Sequence, residues 1–175
     1  MKKILLASLT SVTAISATHA ADGIITINGL VTDKTCNIVT AAGKNFTVTL
    51  PTVSKQTLAN AGDVAGRTPF TINLERCSDG KVATYFEPGV NVDFNTGRLN
   101  NVSGTATNVQ VQLLNNNNAF IPILARGTAN AQANSQWVDV TAGKADLSYF
   151  TEYYATGATT AGTVSTSVQY TIIYQ

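Results

Sequence analysis

The stretch G-T-V-S-T-S-V-Q-Y-T-I-I-Y-Q, Gly162–Gln175, decides how this chain is read. Its even positions are Val164, Thr166, Val168, Tyr170, Ile172 and Tyr174. Its odd positions are Thr163, Ser165, Ser167, Gln169 and Thr171, with Ile173 the single breach. Successive side chains of a strand point to opposite faces, so the stretch is expected to be one long strand with an apolar inward face. The sequence stops one residue after Tyr174, so this strand is expected to finish inside its own sheet. A strand this apolar needs partners along both edges, because unpaired backbone groups and bare side chains are costly. The source of the second partner is the question the rest of the chain has to answer.

The other end sets the compartment. Lys2 and Lys3 form a positive region, Ile4 to Ile15 a short apolar run, and Thr18-His19-Ala20 a small-x-small cleavage site. That pattern is a secretory signal peptide over residues 1–20, too short to span a membrane, with cleavage after Ala20 or the residue following it. A cytosolic chain with an apolar N-terminal helix is the competing reading. Roughly 155 residues remain after cleavage, enough for one domain with a core. The formal charge of +1 includes Lys2 and Lys3, so the mature chain is near −1. Neither a basic patch for nucleic acid nor a polybasic membrane signal is present, and neither partner nor direct membrane insertion is expected. The single histidine, His19, leaves with the signal peptide. Without it the mature chain is not expected to run Ser-His or Cys-His catalysis or to build a common zinc site, so no cofactor or metal is expected.

Cys36 and Cys77 are the two cysteines, and an exported chain normally oxidises such a pair. Closing a loop of roughly forty residues stabilises a fold by about 4 kcal/mol in the chain-entropy account. Free redox-active thiols are the weaker alternative, since the spacing is not C-x-x-C.

Between these points the chain alternates and turns. Residues 22–31 place Ile25, Ile27 and Val31 on one face, with Gly23 and Gly29 interspersed, and read as a strand or two pieces meeting near Gly29. Phe46–Leu50 alternates again and stops at Pro51, and residues 53–68 read as loop with at most one helical turn. Strands are expected at Phe70–Leu74, Val82–Phe86, Val90–Phe94, Val109–Leu113, Phe120–Leu124, Trp137–Val140 and Leu147–Tyr154, with turns between them. No sustained 3.6-residue pattern occurs. The expected fold is an all-β sandwich in one domain.

With both ends in view, the chain resembles the pilin subunits of the chaperone–usher pathway, in particular the major subunits of type 1 and P fimbriae. Four motifs carry the likeness across the mature chain. They are T-I-N-G-L-V (Thr26–Val31) with Cys36 seven residues after Gly29, F-T-I-N-L-E-R-C (Phe70–Cys77), Y-Y-A-T-G-A-T-T-A-G (Tyr153–Gly162), and the alternating terminus with Gly162, Tyr170 and Tyr174. The resemblance implies an incomplete immunoglobulin-like sandwich that lacks its last strand and is completed by donor-strand complementation. Residues 21–28 would be the N-terminal donor extension, with Gly23, Ile25, Ile27 and Gly29 its working positions, and residues 29–175 the pilin domain. The terminal strand, through Gly162, Val168, Tyr170, Ile172 and Tyr174, would line the acceptor groove and bind the chaperone. Other pilin subunits, a periplasmic chaperone and an outer-membrane usher are the implied partners. The implied route runs through the periplasm to a surface fimbrium used in adhesion by a Gram-negative-type bacterium.

The chemistry of other classes is sparse. Asp139–Asp146 lacks the alternate oxygen ligands of a calcium loop and reads as a hairpin turn. Glu75 and Asp79 make no recognisable catalytic pair. The sequons at Asn45 and Asn101 are expected by chance. Trp137 and the Tyr153-Tyr154 pair could form a sugar platform, although buried sandwich aromatics are the ordinary outcome. A minor adaptor or terminator subunit, and a monomeric secreted carbohydrate-binding sandwich, are the alternatives; a hydrolase is not expected.

Overall fold

A computed structural model describes residues 25–41, 43–126 and 132–175. The signal-peptide residues 1–20 and Gly23 lie outside them, as does part of the expected loop at 126–136.

Strands dominate the compact unit Thr32–Gln175. In chain order they are β1 (Asn37–Ile38), β2 (Val64–Glu75), β3 (Lys81–Phe86), β4 (Val92–Asp93), β5 (Arg98–Asn100), β6 (Val109–Asn115), β7 (Val138–Asp139), β8 (Lys144–Ala155) and β9 (Tyr170–Tyr174). One sheet runs β1-β2-β8-β6-β5-β4 and the other β7-β3-β9, with antiparallel pairing throughout. The long β2–β8 pair forms the backbone of the larger sheet, joined by β6 on its far side. Period-two alternation sends Leu147 and Tyr149 of β8, Ile72 and Leu74 of β2, and Val111 and Leu113 of β6 into one core. There they meet Val82 and Phe86 of β3, and Tyr149 stacks edge-on against Phe86 with ring centroids 5.2 Å apart. This is the expected all-β sandwich.

The turns follow local chemistry. Ala142 and Gly143 both take positive φ in the two-residue connection between Thr141 and Lys144, which bond each other in both directions. The expected hairpin at Asp139–Asp146 is therefore what forms. Its carboxylates are engaged elsewhere: Asp139 with Lys81 at 3.3 Å and Asp146 with the Asn73 side chain at 2.8 Å. Among the described residues no cluster of histidine, cysteine or carboxylate side chains could hold a metal ion. Cys36 and Cys77 are bonded, tying the approach to β1 to the end of β2.

Several strand expectations need correction. β2 begins at Val64, inside the stretch read as loop, and only Lys55–Leu58 of that stretch forms a 3-10 turn. Its start is irregular, with a bulge between Ala65 and Thr68. There Gly66 has φ +71° and lies under the Tyr153 ring, so a Cβ would sit 3.0 Å from that ring. Pairing with β8 overrides the weak local propensity of Ala, Gly and Pro there. Val90–Phe94 shrinks to Val92–Asp93, with Val90 and Phe94 exposed. Phe120–Leu124 keeps one bridge, Phe120 to Leu114, and then buries Ile121 and Ile123 without a ladder. Trp137, expected to be buried, is exposed.

The far face of the larger sheet carries a polar chain. Glu152 is almost fully buried, accepts from Arg67 Nε at 2.8 Å and from Gln112 Nε2 at 2.7 Å, and so has its charge matched. Gln112 in turn accepts from Arg98, whose guanidinium lies 3.6 Å over the Tyr154 ring.

Residues 25–31 belong to a separate unit and carry no strand assignment. The strand expected at residues 22–31 is absent over its described part. Alternation alone does not make a ladder; a partner edge is required. Ile25, Ile27, Leu30 and Val31 are 89–97% exposed.

Candidate functional site: a groove between two open edges

The terminal stretch is the site's first wall. Its even residues Val164, Thr166, Val168, Tyr170 and Ile172 are partly buried, while its odd residues through Thr171 are exposed. The inward face is the one expected. The ladder is shorter than expected, covering only Tyr170–Tyr174 against β3. Gln175 exchanges both backbone bonds with Lys81, and Gln169 accepts from Glu87, so the odd residues carry the bonds toward β3. The even residues therefore turn their N–H and C=O groups to the other edge.

Beyond the ladder, loops take over the same side. Asn91 donates its side-chain amide to the Ser167 carbonyl at 3.0 Å. Asn101 accepts from Ser165 N at 2.8 Å, and Val102 N bonds the Ser165 carbonyl. Ala106 N bonds the Thr163 carbonyl at 3.0 Å. Gly162 is needed at this approach, since a Cβ there would lie 2.6 Å from Thr105 Oγ1 and 2.8 Å from Ala106 Cα. On the opposite side, the backbone groups of Val164, Thr166 and Val168 have no hydrogen-bond partner among the described residues. The Thr166 hydroxyl is buried and also without a partner.

The second wall is Lys44–Leu50. Phe46, Val48 and Leu50 are partly buried and alternate with exposed Thr47 and Thr49. No strand is assigned, because the backbone of Asn45–Leu50 pairs with nothing among the described residues. Here too the expected alternation is present without its ladder. Between the walls lies a groove of about 1160 Å³, floored by Phe70, Ile72, Leu99, Val111, Leu113 and Tyr153. Several of these are core residues, so the groove opens onto the core itself. One contact crosses it: the Tyr170 hydroxyl donates to the Lys44 carbonyl at 2.8 Å, and the Tyr170 ring lies 6.5 Å from that of Phe46. Burial raises the Tyr170 phenol above its ordinary value.

The Lys44–Leu50 wall is a run of seven residues, about 23 Å long at 3.3 Å per residue, and the terminal stretch lines the groove over the eight residues Val164–Thr171, about 26 Å. Two unpaired edges over an apolar floor leave a slot open along both walls. Of the sequence-expected residues, Val168 and Tyr170 line it and Gly162 sets the approach. Ile172 and Tyr174 pack against the core further along β9, and Tyr174 accepts from Cys36 N through its hydroxyl at 3.1 Å. Gly29 has nothing within 4 Å of where a Cβ would be among the described residues, so no close approach by them demands glycine there. The sequence did not reveal Phe46, Val48 and Leu50 as the opposing wall, nor Asn91 and Asn101 as anchors. The first alternation was visible, but nothing in it says which edge it faces. Trp137 and Tyr154 do not form a platform: Tyr154 lies against Arg98, and Trp137 sits just before β7 of the smaller sheet.

The fold and groove together define a class, a two-sheet β-sandwich with one strand position unfilled. The chain belongs to the type-1 fimbrial protein family: the family model FimA, "Type-1 fimbrial protein, A", matches residues 50–175. It is a fimbrial structural subunit and not an enzyme. The major fimbrial subunit SMF-1 of Stenotrophomonas maltophilia is 66% identical over 90% of this chain and 95% of its own. The F17 fimbrial protein of Escherichia coli is 46% identical over 91% of each. Among solved structures, a chain from a chaperone-usher pilus superposes with a TM-score of 0.61 at 21% identity, covering 93% of this chain and 100% of that one. That likeness concerns the fold. No helix among the described residues is long and apolar enough to cross a membrane.

Proposed function

We propose that this chain is the repeated shaft subunit of a chaperone–usher fimbria and polymerises head to tail by donor-strand exchange. In this reading residues 21–28 of one copy enter the groove of the next, pair with the open edges, and set Ile25 and Ile27 on its apolar floor. The observation that carries it is the groove itself, an apolar slot whose two facing backbone edges have no partner among the described residues.

The dimensions suit the reading. Eight extended residues span about 26 Å, against about 23 Å for the Lys44–Leu50 wall and about 26 Å for Val164–Thr171. Ile25 and Ile27 are both 89% exposed, and burying them contributes about 1.5–3 kcal/mol each before the new backbone ladder is counted. Alternate side chains in an apolar slot fix the register, and main-chain bonds add affinity. Because the extension and the groove are different surfaces, the contact is heterologous and propagates as a filament. A periplasmic chaperone would fill the same edge before assembly and an outer-membrane usher would direct export, placing the product on the cell surface in a fimbrium that serves adhesion. The role of the major relative supports the shaft assignment over an adaptor or terminator.

Deleting residues 21–28 is the test. The truncated subunit is expected to reach the periplasm and bind chaperone but to form no filament. Filaments assembled from the truncated subunit would refute the donor assignment. Quantitation in sheared fibres separates a shaft subunit, which dominates, from a minor one.

A further inference from the structure

Asn28-Gly29 is the single Asn-Gly dipeptide in the sequence. Both residues are exposed, and among the described residues neither enters any hydrogen bond. Among the described residues nothing approaches within 4 Å of the place where a Cβ on Gly29 would be. The following residue thus offers an unhindered backbone nitrogen, and glycine's wide φ/ψ range lets it swing onto the neighbouring side chain. The other asparagines lack this combination. Asn115 is locked by accepting from the backbone N–H groups of Asn117 and Ala119 and donating to Asn134. Asn101 is held between Gly104, Ala106 and Ser165. Of the two Asp-Gly pairs, Asp22-Gly23 lies outside the described residues, and Asp79-Gly80 is confined, with Gly80 wedged against Gln175 and Lys34 and its carbonyl bonded by Val140.

We infer that Asn28 is a spontaneous modification site of the unassembled subunit, converted through a succinimide to aspartate and isoaspartate. The Gly29 backbone nitrogen attacks Asn28 Cγ. A nitrogen–carbon bond forms, the Cγ–Nδ2 bond breaks, and the side-chain nitrogen leaves as ammonia with the proton from the Gly29 N–H. Water then opens the ring. Cleavage at Cγ gives aspartate, and cleavage at the main-chain carbonyl gives isoaspartate. One water is consumed, one ammonia is released, and nothing is oxidised or reduced.

The consequence rests on the donor-strand reading above. Isoaspartate routes the main chain through the former side chain and adds a carbon between residues 28 and 29. It thereby breaks the two-residue alternation that places Ile25 and Ile27 on one face with Gly29 and Val31. The product also carries a new negative charge. A subunit that waits too long before assembly presents its donor segment through a lengthened and negatively charged junction with the residues that follow. In a filament, backbone held near ψ +135° by a ladder cannot bring the Gly29 nitrogen onto Cγ. Asn28 is then protected by assembly.

The test incubates two preparations from the same cells, soluble exported subunit and sheared filaments, at neutral pH. Peptide mass spectrometry and isoaspartyl methyltransferase labelling follow the amide-to-acid conversion at each asparagine. In the soluble subunit Asn28 is expected to convert ahead of every other asparagine, and Gly29→Ala to abolish detectable conversion over the same period. The assignment is overturned if Asn28 in the soluble subunit stays an amide while a synthetic peptide of residues 25–31 converts. It is equally overturned if Gly29→Ala converts at the wild-type rate. Filaments are expected to retain the amide. Equal conversion in filaments and soluble subunit would refute the donor-strand reading while leaving Asn28 assigned as the site.

Discussion

Replacing Ile27 with aspartate separates the joint between subunits from the subunit's own fold. In a single chain Ile27 is 89% exposed and lies outside the compact unit Thr32–Gln175. The substitution therefore removes no packing from the folded domain, and its effect there is expected within about 0.5 kcal/mol. In the filament the same side chain is assigned to a groove floored by Ile72, Val111 and Leu113. Losing the isoleucine forfeits about 1.5–3 kcal/mol of apolar burial, and placing a carboxylate in that slot without a partner adds a cost of similar size. A total near 4 kcal/mol weakens each joint roughly a thousandfold. The assay is paired: urea unfolding of the soluble subunit, and heat-induced dissociation of purified filaments scored by gel mobility. Unchanged unfolding together with absent or heat-labile filaments is expected. Ile27→Asp filaments as heat-resistant as wild type would refute the reasoning, because Ile25 fills its own place on the floor and cannot also supply the burial lost at position 27.

Four further outcomes follow from the fold. Replacing Cys36 and Cys77 together by serine opens a loop of 41 residues and is expected to cost about 4 kcal/mol in denaturant unfolding. Gly162→Val drives a side chain into Thr105 and Ala106 and is expected to destabilise the soluble subunit by about 1–3 kcal/mol, read from the urea midpoint. Arg67→Ala leaves the buried Glu152 carboxylate with Gln112 as its remaining donor; about 2 kcal/mol is expected, moderated because Arg67 is itself 41% exposed. Asp93 is held below its ordinary value of 3.8, first by the Gln110 side-chain amide and then by the Asn95 backbone N–H. A depressed carboxylate contributes stability that is present above pH 3.8 and lost as pH falls through the lower folded value. Asp93→Asn is therefore expected to flatten the acid limb of stability against pH.

The inward face of the terminal stretch was legible because alternation is a local property: Val164, Thr166, Val168, Tyr170 and Ile172 all turn inward. The extent of its ladder was not, because that depends on β3 ending at Phe86 and on Asn91 and Asn101 arriving from distant loops. Phe46–Leu50 shows the same limit, alternating as expected yet pairing with nothing described. The start of β2 was hidden for the opposite reason, since Ala65, Gly66 and Pro69 carry no strand signal and are recruited by β8. Trp137 escaped because its exposure depends on its place just before the edge strand β7, not on its residue type. The cysteine pair was readable from count and compartment alone, and the structure joins it.

Amide hydrogen exchange at Val164, Thr166 and Val168 tests the open edge most directly. These N–H groups have no partner among the described residues of the single chain, and an incoming strand would bond them. They are expected to exchange rapidly in the unassembled subunit and slowly in intact filaments. Rapid exchange at all three in filaments would contradict the claim that a neighbouring copy fills the groove.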